Sequence, residues 1–213
     1  DIMKLDLSLY LVTDKRNKTD DEFLEIIEEA IKGGTTVVQI REKEGETLDF
    51  YNLALKVKEI TSKYNVPLIV NDRIDVALAI KSEGVHIGQT DMPADVARSL
   101  IGDEMILGVS ASTVKEARKA EKDGADYIGT GAVFPTATKD DAPSITKDDL
   151  KEVTGSINIP TVAIGGITLE NANELAGTGI AGISVVSAIM NSKDPKIASE
   201  NLLKIYNEKI DKN

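Results

Sequence analysis

The sequence predicts an α/β protein, a (β/α)8 barrel built as one domain over residues 1–213, and three observations predict it. Eight short apolar runs rich in β-branched residues are each followed by a helical spacing of apolar residues. These units recur at a spacing of roughly 20 to 30 residues, which is the size of a barrel unit. No shift in composition divides the chain, and no G-x-G-x-x-G opens the first helix, so a doubly wound open sheet ranks second.

Taken in order, the first strand covers residues 7–13 (L-S-L-Y-L-V-T) and the first helix 20–31, where Phe23, Ile26, Ile27, Ala30 and Ile31 share one face. Gly33 and Gly34 stop that helix. The second strand spans 36–40 and ends in the polar run R-E-K-E-G, after which Thr47 caps a helix reaching about Lys63. A third strand over 66–70 is broken by Asn71 and Asp72, and Val76, Ala77, Ala79 and Ile80 give a short third helix. The fourth strand, 85–88, exits through Q-T-D-M-P into a helix over 94–100 with proline at or just before its first turn. The fifth strand is 105–109, its loop 110–112 and its helix 113–122. A sixth apolar run, 125–128, leads into a long loop over 129–143 and, with Thr146 as cap, a helix over 147–154. Residues 161–164 form the seventh strand, with Gly165 and Gly166 as its loop and a helix over 169–176. The eighth strand is 180–185, and the remainder is helical to near the C-terminus.

Composition narrows the function classes. Hydrophobic residues at 41% and charged residues at 29% are ordinary for a globular chain. No segment reaches the apolar length of a membrane span and no export signal is evident, so the expected location is the cytoplasm. A formal charge of 25 − 36 = −11 repels nucleic acid and anionic membranes, so an anionic substrate needs a local basic pocket. With no cysteine in the chain, oxygen ligands are left to hold any metal, which points to hard cations such as magnesium.

Barrels and open α/β sheets both bind ligands at the carboxyl ends of their strands. Those exits hold Gln39, Arg41 and Lys43; Asn71 and Asp72; Asp91; Ser110; Thr136, Thr138 and Lys139; Gly165 and Gly166; and Ser187. Cations, paired carboxylates and, at the last two exits, amides expected at helix N-termini together suit a diphosphate with magnesium. Taken singly, Asp72 and Asp91 read as helix N-caps, and Arg41 with Lys43 as a solvated charge run. Their assembly on one face favours the functional reading. The long loop adds two glycines, two threonines and Lys139, and connections of that length usually carry function.

At this point the chain closely resembles the thiamine-phosphate synthase family. The resemblance rests on L-Y-L-V-T-D from Leu9, Q-I-R-E-K from Gln39, N-D-R-I-D-V-A-L-A from Asn71 and G-V-H-I-G-Q-T-D-M-P from Gly84. It continues through G-V-S-A-S-T from Gly108, G-A-D-Y-I-G-T-G-A-V-F-P-T-A-T-K from Gly124, V-A-I-G-G-I from Val162 and V-V-S-A-I from Val185. It implies an enzyme that joins hydroxymethylpyrimidine diphosphate to thiazole phosphate, or to its carboxylated tautomer, releasing pyrophosphate. It further implies that the Gln39, Ile40, Arg41, Glu42 and Lys43 segment and Asn71 hold the pyrimidine diphosphate and that Asp72 and Asp91 bind magnesium. Ser110 and Lys139 would contact the departing diphosphate. Thr136, Ala137 and Thr138 would lie beside the thiazole, with Gly166, Val186 and Ser187 around its phosphate. Ala137 stands where the family often has proline, and Asp140 follows Lys139 where a second lysine is frequent. Partners on this reading are small molecules, with a homo-oligomer left open.

Such a site suits a dissociative reaction. The aminopyrimidine stabilises positive charge on its exocyclic methylene, and the attacking thiazole nitrogen carries no proton, so no general base is required. The lone histidine, His86, lies within the fourth strand and reads as structural, with the face it occupies unassigned. The in-family rival is a thiazole tautomerase, which has no use for Asp72, Asp91, Arg41 and Lys43 together. From another class, the rival is a non-catalytic barrel that binds phosphorylated metabolites.

Overall fold

A computed structural model describes residues 5–135 and 144–211. Eight parallel strands close into a barrel in sequence order: β1 (Leu9–Val12), β2 (Val37–Ile40), β3 (Leu68–Asn71), β4 (Gly84–Ile87), β5 (Ile106–Ser110), β6 (Tyr127–Thr130), β7 (Thr161–Ala163) and β8 (Gly182–Val185). β8 pairs with β1 through Leu9↔Ile183, Tyr10↔Ser184 and Leu11↔Val185, which completes the ring. The barrel prediction therefore holds, and the open sheet does not.

The helices are α1 (Asp20–Lys32), α2 (Thr47–Lys63), α3 (Ile74–Ile80), α4 (Ala94–Ile101), α5 (Val114–Lys122), α6 (Lys147–Gly155), α7 (Ser187–Met190) and α8 (Pro195–Ile205). Thr19, Thr113 and Thr146 cap α1, α5 and α6 by accepting from the third backbone amide beyond them, and Thr146 with Asp149 forms a reciprocal capping box. Strand residues of even parity with Leu9 face outward, where Leu9, Leu11, Val38, Ile40, Val70, Leu107 and Ile128 pack under the helices. The opposite parity faces the barrel interior and forms a second cluster with Tyr10, Val37, Ile69, Tyr127 and Val162, joined by Leu7 from the segment ahead of β1.

Several boundaries differ from the sequence reading. Asn71, Ser110, Gly129 and Thr130 lie within strands, so the long loop starts at Gly131 and not at Gly129. Thr47 is the first residue of α2, whose N-cap is Glu46 without a side-chain bond. The helix expected over 169–176 is only a 3₁₀ turn, Ala172–Leu175. Its start is diverted by Asn171, which accepts from the Thr168 amide at 2.8 Å and donates to the Gly166 carbonyl at 2.8 Å, offering the backbone an alternative to helical pairing. After β8 the helical stretch is interrupted between Met190 and Pro195, where Asp194 caps α8, and ends in a π turn over Tyr206–Ile210. None of the described helices is long and apolar enough to cross a membrane.

Candidate active site

Strand parity decides which exit residues meet. On β2, Gln39 faces the interior while Ile40 is fully buried in the outer core, so the side chain of Ile40 is turned away from any substrate. On β3 and β5 the inward parity selects Asn71 and Ser110, and on β4 it selects His86. These residues line an open cleft at the carboxyl mouth together with Arg41, Gly166, Val186 and Ser187. The cleft, of ≈ 1310 Å³, is roomier than the roughly 300–1,000 Å³ of a typical small-molecule site.

The cleft floor is one hydrogen-bonded chain. Asn71 Nδ2 donates to Gln39 Oε1 at 3.0 Å, and Gln39 Nε2 donates to the Tyr10 hydroxyl at 2.8 Å. The Tyr10 and Tyr127 hydroxyls share a short hydrogen bond, and the Tyr127 hydroxyl lies 3.0 Å from His86 Nδ1. His86 Nε2 in turn lies 2.9 Å from Ser110 Oγ. Burial pushes both phenols well above their ordinary pKa, so each keeps its proton. Gly108 makes room for this arrangement, because a Cβ there would collide with the Tyr127 ring.

Electrostatics at the rim point to an anion. The Arg41 backbone amide is fixed by Thr13 Oγ1 at 3.2 Å, and its buried Nε has no hydrogen-bond partner among the described residues. Neither Arg41 nor Lys43 forms an ion pair with a described carboxylate. Glu42 turns toward the loop after β1, where burial raises its carboxyl pKa and Lys15 opposes the rise.

Asp72 is not the N-cap of α3, as the residue alone suggests. Arg73 holds that place without a side-chain bond, and Asp72 sits in left-handed backbone at φ 63°, anchored by its amide to the His86 carbonyl at 2.8 Å. A non-glycine residue in that region is uncommon and costs of order 1 kcal/mol, a strain that recurs at functional sites. Asp91 is not the cap of α4 either. Pro93 is, while Asp91 Oδ2 accepts from the Gly88 amide at 2.8 Å. Burial raises the Asp72 pKa, the Asp91 charge raises it further, and Lys43 opposes both. Asp91 and Lys43 thus act on the Asp72 carboxyl in opposite senses. Among the described residues no cluster of three or more His, Asp or Glu side chains forms. A hard divalent cation fits the Asp72 and Asp91 carboxylates, since magnesium is commonly held by one or two carboxylates and completed by substrate phosphates and water.

On the opposite wall, Gly165 (φ 98°) and Gly166 (φ 68°) adopt backbone that side chains resist, and a Cβ on Gly166 would lie 2.6 Å from the Pro135 carbonyl oxygen. The expectation of a helix N-terminus holds at the last exit and is corrected at the one before it. The glycines precede a 3₁₀ turn, and Ser187 opens the four-residue α7 after Val186. Thr136, Ala137, Thr138 and Lys139 lie outside the described residues. Sequence reasoning missed Tyr10 and Tyr127, whose inward parity, like the Gly108↔Tyr127 register, is set by the strand pairing.

A family profile described as thiamine monophosphate synthase matches residues 9–189. The thiamine-phosphate synthase of Methanobrevibacter smithii is 67% identical over 205 residues, covering 96% of this chain and 98% of that protein. That of Clostridium tetani is 52% identical, with coverage of 96% and 98%. A solved structure of thiamine phosphate pyrophosphorylase from Pyrococcus furiosus superposes with a TM-score of 0.88 at 42% identity, covering 96% of this chain and 97% of that one. The chain belongs to the thiamine monophosphate synthase family.

Proposed function

We propose that this chain condenses hydroxymethylpyrimidine diphosphate with thiazole phosphate, releasing pyrophosphate and forming thiamine phosphate. The observation that carries the reading is the buried Nε of Arg41 in the cleft, unpartnered among the described residues, with Asp72 under the opposed charges of Asp91 and Lys43. A diphosphate answers all of these at once: it engages the cations, and with a divalent metal it relieves the repulsion between the carboxylates.

In this reading Gln39 and Asn71 orient the aminopyrimidine. Arg41 and Lys43 draw off the negative charge that develops on the departing diphosphate, and Ser110 donates a hydrogen bond to it. Asp72 and Asp91 would hold magnesium, which when bound supplies charge neutralisation to the leaving group. The methylene left behind is electron-poor and is stabilised by the aminopyrimidine ring. The thiazole, lodged near Val186 with its phosphate toward Gly166 and Ser187, attacks through its ring nitrogen. On this reading Lys139 would contact the departing diphosphate, and Thr136, Ala137 and Thr138 would lie beside the thiazole.

The test is product formation by the purified chain with both substrates and magnesium. Thiamine phosphate and pyrophosphate should appear in equal amounts, and neither should form when the thiazole is withheld. Pyrophosphate release without the thiazole would make the chain a hydrolase instead, and absence of both products would remove the reading.

A further inference from the structure

The reaction proposed above calls for a hydroxyl donor at Ser110, but nothing in that chemistry alone decides where the serine proton points. The polar chain through the barrel decides it. Asn71 and Ser110 stand at its two ends in the cleft, and between them Gln39, Tyr10, Tyr127 and His86 are buried in the interior.

Proton counting gives the chain a direction. A phenol has one proton to donate. Gln39 Nε2 donates to the Tyr10 hydroxyl, and the distances leave either direction open at the next two links. Carried on in the same sense, with one proton per link, the Tyr10 proton goes to Tyr127 and the Tyr127 proton to His86 Nδ1. An Nδ1 that accepts leaves a neutral ring with its proton on Nε2, which donates to Ser110 Oγ. The serine proton is then directed at the cleft. Were both amides reversed, Gln39 would accept from Tyr10, every bond would invert, and the serine proton would be consumed by Nε2. The cleft would then meet serine lone pairs, which repel an anionic oxygen.

We propose that Tyr127 and His86 are positioning residues that carry hydrogen-bond direction from Asn71 and Gln39 to Ser110, holding His86 as the neutral Nε2–H tautomer so that the Ser110 hydroxyl donates to a substrate's anionic oxygen. The proposal rests on the diphosphate reading for its substrate, but its central claim concerns a tautomer and can be read without any substrate. High phenol pKa values support it, because neither tyrosine can ionise and break the sequence of donors.

His86 is the chain's single histidine, so nitrogen-15 labelling of histidine yields one ring in the spectrum of the full chain. At neutral pH and without substrate, the expected result is a proton-bearing Nε2 and a bare, hydrogen-bonded Nδ1. In Tyr127→Phe the Nδ1 resonance should move toward that of a nitrogen without a donor. A wild-type ring protonated on Nδ1, or on both nitrogens, overturns the proposal. The kinetic arm is a double-mutant cycle. Ser110→Ala should lower kcat roughly 10²-fold, as loss of one preorganised donor does, with little change in KM for the thiazole. Tyr127→Phe should lower kcat by less, and should cost nothing further in the Ser110→Ala background. Equal losses from Tyr127→Phe in both backgrounds overturn the link to Ser110. If neither substrate turns over, the enzymatic reading fails while the spectrum still decides the tautomer.

Discussion

The two mouths of the barrel use the same strands but distribute charge differently. At the amino mouth several carboxylates are answered. Glu83 Oε2 accepts from the Leu68 amide at 2.8 Å, Glu121 Oε2 from the Asn158 amide at 2.6 Å, and Asp126 Oδ2 from the Leu107 amide at 2.8 Å. Arg98 joins this set, pairing with Asp126 at 2.7 Å and donating to the carbonyls of Gly102, Met105 and Gly124. At the carboxyl mouth Arg41 and Lys43 lack ion pairs among the described residues, Asp72 is strained, and the Asp91 charge acts on its carboxyl. Answered charges hold strands in register. Unanswered ones raise the energy of the empty site, and a ligand can recover that energy. A net charge of −11 is compatible with an anionic substrate because, among the described residues, Arg41 and Lys43 at the carboxyl mouth are not neutralised by ion pairs.

The comparison predicts that substitutions at the carboxyl mouth cost activity and those at the amino mouth cost stability. The largest effect is expected from Asp91→Asn, which should lower kcat/KM about 10²–10³-fold in steady-state assays with magnesium. A fall of less than twofold would break the assignment of the paired carboxylates. Arg41→Lys keeps the charge but loses the planar fork, and should reduce kcat/KM for the pyrimidine substrate by about 10–10²-fold while leaving the thiazole KM near wild type. Next comes Arg98→Ala, which removes several carbonyl contacts and should cost roughly 2 kcal/mol, or about 4–8 °C in Tm, with kcat unchanged. A loss of kcat without a loss of Tm would reverse the roles of the two mouths.

The smallest effect has the opposite sign. Asp72 has a raised folded-state pKa, first from burial and then from Asp91, so the stability linked to its proton is present at low pH and lost as pH rises through that value. Removing the Asp91 charge should therefore raise Tm at neutral pH by about 1–3 °C, and the gain should fade in acid, where Asp72 is protonated. Thermal melts of Asp91→Asn across pH check this directly.

Much of this arrangement was legible in the sequence because strands carry a period of two. Eight apolar runs gave the barrel, and the polar residue after each gave the rim, including Arg41, Asp72 and Asp91. Other features depend on contacts far apart along the chain. Tyr10 and Tyr127 meet across 117 residues, and each alone reads as an ordinary core aromatic. The face occupied by His86 became clear only through its register, Asn71↔His86 and His86↔Gly108. The turn at Ala172–Leu175 was read as a longer helix because its apolar spacing is helical, while the competing bonds of Asn171 leave no mark in periodicity.

The most direct test of the account is the binding of pyrophosphate in the presence of magnesium, measured by calorimetry for the wild type, Arg41→Ala and Arg98→Ala. The account predicts binding by the wild type and by folded Arg98→Ala with similar affinity, and a loss of roughly tenfold or more in Arg41→Ala, where a charge-assisted contact is removed. Undiminished binding by Arg41→Ala would contradict the claim that the open cations of the carboxyl mouth receive the diphosphate.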